Sequence, residues 1–148
     1  MVGLAQERLL EKSIRPSVQR LSVYQYLLDN PTHPTVDTVF TALSPTIPTL
    51  SKTTVYNTLK LLVENNLVQT ITIEDDELRY DANMEDHIHF KCEKCGSIND
   101  FFSPLAHNTT ELIKNQLSSE FSPRKIHIFV WGLCKKCNKD SQSVHNSL

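Results

Sequence analysis

The chain has 148 residues, a hydrophobic content of 39% and a formal net charge of −2, which is typical of one or two small globular domains. This near-neutral balance gives no general support for nucleic-acid binding, so any DNA-binding face must be local. No apolar run approaches the ~18 residues of a membrane-spanning helix, and residues 1–12 favour an amphipathic helix over a signal peptide. We therefore expect a cytoplasmic protein with no membrane partner.

Helical periodicity runs through the first 65 residues. Apolar residues recur at helical spacing in four stretches, separated by segments rich in Pro, Ser, Thr and Asn. Ser17, Thr35 and Ser51 precede the second, third and fourth stretches and are the predicted N-caps of three helices. The paired asparagines Asn65 and Asn66 are expected to end the fourth helix.

The apolar period changes to two directly after these helices. Val68–Ile73 alternates apolar and polar residues, the acidic run Glu74–Glu77 makes a turn, and Leu78–Tyr80 returns as a second strand. A helix-turn-helix followed by a hairpin predicts a winged-helix domain over residues 1–80. The alternative is another small helical domain that carries a hairpin. The acidic turn disfavours close contact between this wing and a phosphate backbone.

The second half of the chain has a different pattern. Residues 81–86 are predicted to be a hinge, 87–137 an α/β domain and 138–148 a flexible polar tail. A helix is expected over about Pro104–Leu117. It is surrounded by three strand-like segments, Ile88–Phe90, Ile98–Phe102 and Ile126–Trp131. The predicted fold class is therefore α+β, a winged helix-turn-helix domain followed by a smaller α/β domain.

All four cysteines of the chain stand in two Cys-x-x-Cys pairs, Cys92 with Cys95 and Cys134 with Cys137. Two thiolates at this spacing come from one tight turn, and two such turns close a tetrahedron around one zinc ion. Four thiolates leave no open coordination position, so the predicted role of this Zn²⁺ is structural. Two disulfides or four scattered core thiols are the alternatives, and the lack of an export signal disfavours disulfides.

A second cluster of predicted metal ligands contains no thiol. His87 and His89 alternate with an apolar residue and so share one face of a strand, while Asp81 and Asp100 add carboxylates. Nitrogen and oxygen ligands of this kind suit iron(II), manganese(II) or zinc. His33, in the turn between the second and third helices, is a fifth candidate from the other domain. The alternative is that these are ordinary surface histidines.

The fourth predicted helix is the candidate recognition helix. Small hydroxyl residues, lysines, a tyrosine and an asparagine suit an N-terminal turn that enters the major groove of DNA. The candidate contacts on it are Ser51, Lys52, Thr53, Thr54, Tyr56, Asn57 and Lys60. Arg15, Gln19 and Arg20, around the start of the second helix, are candidates for clamping the phosphate backbone. The alternative is an ordinary solvated helix face.

The order of these features resembles the ferric uptake regulator family of metal-dependent repressors over roughly residues 4–137. The motifs that carry the resemblance are Arg15-Pro16-Ser17-Val18-Gln19-Arg20, His33-Pro34-Thr35, Thr54-Val55-Tyr56-Asn57-Thr58-Leu59, Arg79-Tyr80-Asp81, Asp86-His87-Ile88-His89 and Cys92-x-x-Cys95-Gly96. The resemblance implies a homodimer formed through the C-terminal domain, a structural zinc at the four cysteines and one regulatory Fe²⁺ or Mn²⁺ per chain. The regulatory ligands that it implies are His33, Asp81, His87, His89 and Asp100.

Two aspartates among the implied ligands indicate which branch of the family the chain resembles most. Asp81 and Asp100 stand where iron-uptake regulators more usually carry glutamate, and this is most similar to the peroxide-responsive repressors. That branch implies that iron-catalysed oxidation of His33 or His87 is the sensing event. A further metal site of the family, built on a His-His-Asp-His run, is not matched by Asp86-His87-Ile88-His89.

These features favour a homodimeric repressor that binds an inverted-repeat operator in double-stranded DNA when its regulatory metal is bound. An iron-responsive repressor of iron-uptake genes is the alternative, and a zinc- or manganese-sensing member is less favoured. An enzyme is not expected. A redox Cys-x-x-Cys opens a helix in a βαβ unit, which neither pair is predicted to do, and only Glu85 lies near the histidines as a general base for hydrolysis. A zinc-held protein-interaction module would not require Tyr56 or Asn57.

Overall fold

The computed structural model of the chain describes residues 3–74 and 76–145, with side chains described through residue 142. The chain divides into two compact units between Met84 and Glu85, inside the segment 81–86 that the sequence marks as a hinge. Within the described ranges, no helix is both long and apolar enough to cross a membrane.

Four helices lie in the described residues of the first unit. They are α1 (Leu4–Glu11), α2 (Val18–Asp29), α3 (Val36–Leu43) and α4 (Lys52–Glu64). The three predicted N-caps are confirmed, because the side-chain oxygens of Ser17, Thr35 and Ser51 each accept a hydrogen bond from the backbone N–H three residues later. Helix α4 ends at the asparagine pair as expected. Asn66 takes a left-handed φ of 57°, and Leu67 donates back into the last turn of the helix at 3.0 Å.

The helices enclose an apolar core and are followed by a short hairpin. Val23, Val39, Val55 and Leu59, from three different helices, are completely buried, and each contributes about 1.5–3 kcal/mol to folding. The hairpin pairs β1 (Gln69–Ile71) with β2 (Arg79–Asp81) in antiparallel register. The first strand is shorter than predicted and the second is shifted by one residue, since the register ends at Ile71 and Arg79 and leaves residues 72–74 and 76–78 outside both strands. Asp75, part of the predicted acidic turn, lies outside the described residues.

The second unit is a three-stranded sheet with two helices. The elements are β3 (Ile88–Cys92), β4 (Ile98–Phe101), α5 (Pro104–Gln116), β5 (Ile128–Gly132) and α6 (Lys135–His145). The sheet order is β4-β3-β5, with β3 antiparallel to β4 and parallel to β5. Parallel neighbours need a crossover, which α5 supplies. The predicted α+β fold class, a winged-helix unit followed by an α/β unit, is confirmed.

The C-terminal segment differs from its prediction. A flexible tail was expected over residues 138–148, whereas α6 continues to His145; residues 146–148 lie outside the described part of the chain. The helix starts from the second cysteine pair, where the Asn138 N–H donates to the Cys134 carbonyl at 2.8 Å. One turn later the Ser141 hydroxyl donates to the Cys137 carbonyl at 3.0 Å. A polar sequence that contains no Pro or Gly is therefore ordered by its attachment to a buried cysteine.

Candidate functional site

The first cysteine pair is presented by a tight turn after β3. Gly96 adopts a φ of 76°, a left-handed conformation that glycine takes without steric cost, and its N–H donates to the Cys92 carbonyl at 3.0 Å. The Cys95 N–H points at the Cys92 sulfur, 3.5 Å away. The turn therefore brings both sulfurs to one side and stabilises negative charge on them.

The second pair joins the first because β3 and β5 are neighbours. Cys92 stands opposite Gly132, and two residues later the Cys134 N–H donates to the Cys92 sulfur at 3.3 Å. The Sγ atoms of Cys95 and Cys134 are 3.7 Å apart, and all four sulfurs of the cluster, including that of Cys137, lie within 4.8 Å of one another. Zinc–sulfur bonds of about 2.3 Å in a tetrahedron give a sulfur–sulfur distance of about 3.8 Å. The cluster thus fits a zinc ion, and its four thiols are free of disulfides.

Local hydrogen bonding prepares part of this cluster for metal binding. The N–H groups of Cys95 and Cys134 lower the pKa of the Cys92 thiol to about 6, so its thiolate is present at neutral pH. Hydrogen bonds with Ser97 also lower the pKa of Cys95. Burial raises the pKa of Cys137 to about 12, so zinc must displace that proton as it binds.

The helix that opens at the second pair corrects one expectation. Cys134 and Cys137 do stand at the start of a helix, α6, which is the position of many redox-active pairs. A redox pair needs a thiol of lowered pKa that is accessible to its substrate. In this pair, burial raises the pKa of Cys137, and both cysteines lie against the first pair. This arrangement suits a closed metal cluster and not thiol–disulfide exchange.

Two backbone contacts bring His33 beside Asp81 in the first unit. The Tyr80 N–H donates to the Pro34 carbonyl at 3.0 Å, and the Arg79 guanidinium donates to the His33 carbonyl at 3.0 Å. His33 is held at a φ of 57°, which costs a non-glycine residue about 1 kcal/mol. As a result, His33 Nε2 lies 3.7 Å from Asp81 Oδ2, and both side chains are 3% exposed.

Asp81 is oriented by its own backbone. Its Oδ1 atom accepts a hydrogen bond from the Asn83 N–H at 2.8 Å, an Asx-type turn that directs Oδ2 towards His33. The distance of 3.7 Å from that oxygen to the imidazole nitrogen is too long for a hydrogen bond. Two buried ligand atoms separated in this way suit the edge of a metal's coordination sphere. We call His33 and Asp81 the first half-site.

The pairing of β3 with β4 assembles three further predicted ligands. His89 stands opposite Asp100, and its Nδ1 lies 2.8 Å from Asp100 Oδ1. His87 Nε2 lies 3.7 Å from Asp100 Oδ2, and the centroids of the two imidazole rings are 4.3 Å apart. Ligand atoms of these three residues lie within 4.8 Å of one another. We call His87, His89 and Asp100 the second half-site.

A carbonyl oxygen fixes the tautomer of His87. Its Nδ1 is 2.6 Å from the Glu85 carbonyl, and a carbonyl only accepts hydrogen bonds, so Nδ1 carries the proton. The lone pair of Nε2 is therefore available to a metal, an arrangement common among metal-binding histidines. The donors of both half-sites are nitrogen and oxygen, which fit iron(II), manganese(II) or zinc. Each half-site alone supplies fewer ligands than an octahedral ion takes.

Several residues that hold these ligands were not identified from the sequence as parts of the site. They are Arg79, Asn83 and Phe102, together with the carbonyl of Glu85. In the sequence, Arg79 stands out only as part of a family motif, and Glu85 only as a general-base candidate. No periodicity or spacing marked Asn83 or Phe102, because their roles depend on turn geometry and strand register.

Helix α4 divides its side chains between the core and the solvent. Val55, Leu59 and Leu62 are buried. Among the predicted DNA contacts, Thr54 is half-buried and the exposed ones are Ser51, Lys52, Thr53, Tyr56, Asn57 and Lys60. The exposed fraction of Tyr56, 46%, leaves its ring able to contact a base edge or a thymine methyl.

Predicted contacts from α2 and α4 meet at one groove. Gln19, Arg20, Thr54 and Asn57 line an open cavity of about 370 Å³. The Arg20 guanidinium donates to the Arg15 carbonyl at 2.9 Å, which holds its charge at the rim. The groove thus combines a cation, hydroxyl and amide groups next to the exposed face of α4, as a DNA backbone contact requires.

Lys52 is the exception among the predicted DNA contacts. Its ammonium group pairs with Asp37 of α3 at 2.9 Å and lies 5.9 Å from the centre of the Phe40 ring. Its charge is therefore already partly neutralised by the neighbouring helix.

Comparisons with known proteins agree with this architecture. The family model described as the ferric uptake regulator family matches residues 11–129. The chain is 33% identical over 132 residues to the peroxide-responsive repressor PerR of Staphylococcus epidermidis, covering 89% of this chain and 87% of the relative. It is 34% identical over 129 residues to PerR of Staphylococcus aureus, covering 87% and 86%.

Solved structures share the fold. The ferric uptake regulator of Pseudomonas aeruginosa with manganese superposes with a TM-score of 0.72 at 17% identity, over 90% of this chain and 99% of that chain. The regulator of Francisella tularensis with iron gives a TM-score of 0.66 at 22% identity, over 84% and 95%. At these identities the likeness concerns the fold alone.

Proposed function

The chain belongs to the ferric uptake regulator family, and from this premise we propose that it is a metal-dependent, DNA-binding transcriptional repressor that responds to peroxide. The proposal is supported by the two histidine–aspartate half-sites, by the exposed recognition helix and by relatives named peroxide-responsive repressors. It assigns regulation, and not catalytic turnover, to the metal chemistry.

The four-cysteine cluster holds a structural zinc in this proposal. Cys92, Cys95, Cys134 and Cys137 supply four thiolates, so the ion has no position for a substrate. Zinc ties the end of β3 to the start of α6 and secures the second unit. It also shelters the thiols from oxidation, which leaves the histidines as the residues that respond to peroxide.

The regulatory metal uses both half-sites. His33 and Asp81 come from the first unit, and His87, His89 and Asp100 come from the second, so that one iron(II) or manganese(II) ion binds three imidazoles and two carboxylates. A metal that takes ligands from both units favours one arrangement of the DNA-binding unit over others. Its differential affinity for that arrangement is the free energy that couples metal binding to DNA binding.

Peroxide sensing is the more specific part of the proposal. It is supported by Asp81 and Asp100, which stand where iron-uptake regulators more usually carry glutamate. Iron bound at the site supplies the chemistry that activates hydrogen peroxide. His33 or His87 then gains one oxygen atom: the O–O bond breaks, a ring C–H becomes C–OH, and water leaves with the second oxygen. An oxidised imidazole is a poorer ligand, so metal is lost and the repressor releases DNA.

The DNA-bound species in this proposal is a homodimer on an inverted repeat. Large apolar side chains are exposed on the second unit, among them Leu105, Leu112 and Trp131, and a second copy that covers them would pair two recognition helices. The two-fold axis of the dimer then sets the spacing of the two repeats in the operator DNA.

Mass spectrometry of metal-loaded protein tests the proposal. Iron-loaded protein treated with low micromolar peroxide is expected to gain one oxygen on His33 or His87 and to lose operator binding. Manganese-loaded protein is expected to keep both its mass and its operator binding. If no histidine gains oxygen while iron alone controls DNA binding, the peroxide-responsive proposal is wrong and the protein is an iron-responsive repressor.

A further inference from the structure

We infer that Phe102 is a positioning residue for His87, whose imidazole it holds in the orientation needed to bind the regulatory metal and to be oxidised. The inference rests on the proposed function of the second half-site. It adds to that site a residue that provides no ligand atom.

Strand register explains why Phe102 reaches His87. Ile88 stands opposite Phe101 in the antiparallel pair of β3 and β4, so continuing that register by one position places His87 opposite Phe102. Directly opposed side chains lie within contact distance. The two rings are stacked, with centroids 4.6 Å apart and planes inclined by 26°.

The stacked ring supplies a restraint that the hydrogen bond of His87 lacks. The contact between Nδ1 and the Glu85 carbonyl, 2.6 Å long, fixes one corner of the imidazole and leaves its plane able to tilt. The face of Phe102 sets the plane, while His89 approaches at an interplanar angle of 70°. Together these contacts direct Nε2 towards Asp100 Oδ2, 3.7 Å away.

Exposure indicates that Phe102 also covers its neighbour. The His87 side chain is 1% exposed, whereas Phe102 is 49% exposed. One face of the phenylalanine therefore meets solvent and the other meets the imidazole. The stacked contact with His87 accounts for part of the half of this ring that is withdrawn from water.

The neighbouring residue offers a matched control. Phe101 is 54% exposed, and its ring meets Phe90 with centroids 6.4 Å apart. Because successive side chains of a strand point to opposite faces of the sheet, Phe101 faces away from the half-site. Substitution at Phe101, the last residue of β4, removes a similar exposed ring next to Phe102 without touching His87.

The first test uses the metal-free protein. Carbethoxylation by diethyl pyrocarbonate, mapped by peptide mass spectrometry, reports how accessible each imidazole is. Phe102→Leu keeps an apolar side chain of similar size and removes the flat face, so the labelling rate of His87 is expected to rise several-fold. Phe102→Tyr keeps the flat ring and is expected to match the parent, as is Phe101→Leu.

The second test uses metal and peroxide. Mn²⁺ affinity is expected to fall about tenfold in Phe102→Leu, the loss typical of residues that orient a metal ligand. At saturating Fe²⁺, peroxide should oxidise His33 in some parent chains and His87 in others. In Phe102→Leu the ratio of oxidised His87 to oxidised His33 is expected to fall, because a tilted ring is poorly placed for oxygen insertion. Phe102→Tyr should restore the parental ratio.

A space-filling role makes a different prediction. If Phe102→Leu equals the parent in His87 labelling and in the oxidation ratio, the ring only fills space and the inference is overturned. If the parent itself shows neither metal-dependent DNA binding nor histidine oxidation, the proposed function fails. The labelling of metal-free protein still decides separately whether Phe102 orients His87.

Discussion

His33 reaches Asp81 because the loop after α2 is fastened to strand β2. The fastening residue, Arg79, lies 46 positions further along the chain. One terminal nitrogen of its guanidinium donates to the His33 carbonyl, while its Nε donates to Glu74 Oε1 at 3.1 Å. This contact offsets the cost of the left-handed backbone at His33. A single arginine therefore holds one residue of the first half-site, His33, by its backbone carbonyl.

Tyr56 gives the first prediction at the residue scale. Tyr56→Ala is expected to weaken operator binding by about 1–3 kcal/mol and to relax base preference, because the ring is exposed on the candidate recognition helix α4 and a good base contact has this magnitude. Asn57→Ala should act similarly. Gel shifts with operator and scrambled DNA measure both effects, with Tyr56→Phe as the variant that keeps the ring. Unchanged operator affinity in Tyr56→Ala would place the base contacts elsewhere.

Lys52 and Arg20 are predicted to differ in the salt dependence of DNA binding. Arg20→Ala should reduce the slope of log affinity against log salt by about 0.9, the value for one phosphate contact. Lys52→Gln should change the slope less, since Asp37 already holds that ammonium group. In Asp37→Asn the lysine is released, so non-specific affinity should rise. Titrations over a range of salt concentrations decide the point, and a full unit of slope lost in Lys52→Gln would show a phosphate contact.

At the scale of elements, the two cysteine pairs show how a short sequence motif predicts a contact between distant elements, the end of β3 and the start of α6. Two Cys-x-x-Cys turns were enough to predict the cluster, but they did not predict that the second turn would begin α6. The helices of the first unit follow from apolar spacing and caps, which are local properties. The hairpin ends and the tail differ from prediction because register and attachment to a buried cysteine are not visible in local spacing.

Some residues of the candidate site could be placed from local sequence patterns, and others depend on strand register or on contacts between distant segments. His87 and His89 share a face of β3 because strand alternation requires it. Asp100 lies opposite His89 only through the register of β4, and His33 depends on a contact between distant segments. Both were candidates because of their residue types, and the family resemblance implied them as ligands, but spacing along the chain did not place either beside the other ligands. Neither strand alternation nor the family resemblance indicated Phe102, and only the stacking of its ring on His87 reveals its role.

Zinc gives a prediction for the second unit as a whole. Cys95→Ser removes one of four thiolates and should release zinc, and structural zinc supplies on the order of 10 kcal/mol of folding free energy. The variant is expected to be monomeric or unfolded over residues 88–137, as measured by metal analysis, circular dichroism and sedimentation. Ser103→Ala, at an N-cap that makes no side-chain hydrogen bond, is the control. A stable Cys95→Ser dimer with full DNA binding would contradict the structural role of zinc.

At the scale of the whole molecule, the chain divides into two compact units at Met84, and under the proposed function the regulatory metal would couple them. Each half-site belongs to one unit and is pre-arranged within it by local hydrogen bonds. Regulatory coupling typically amounts to 1–3 kcal/mol, which corresponds to about 5–150-fold in affinity. Under the proposed function, loss of the metal would lower operator affinity by a factor in this range.

His33 tests this coupling most directly. Asp81 lies three residues before the end of the first unit, whereas His33 lies between α2 and α3. The proposed function therefore assigns to His33 the transmission of metal binding to the helices. His33→Ala is expected to abolish most of the Mn²⁺-dependent gain in operator affinity and to leave dimerisation unchanged, as measured by gel shift and small-angle scattering with and without Mn²⁺.

His33→Asn provides a second variant, because asparagine tolerates the left-handed backbone while removing the imidazole. His107→Ala, which removes a side chain that is 65% exposed and outside both half-sites, should respond to Mn²⁺ like the parent. Equal activation of His33→Ala and the parent would remove His33 from the regulatory site and leave the metal bound by residues at and beyond the hinge alone.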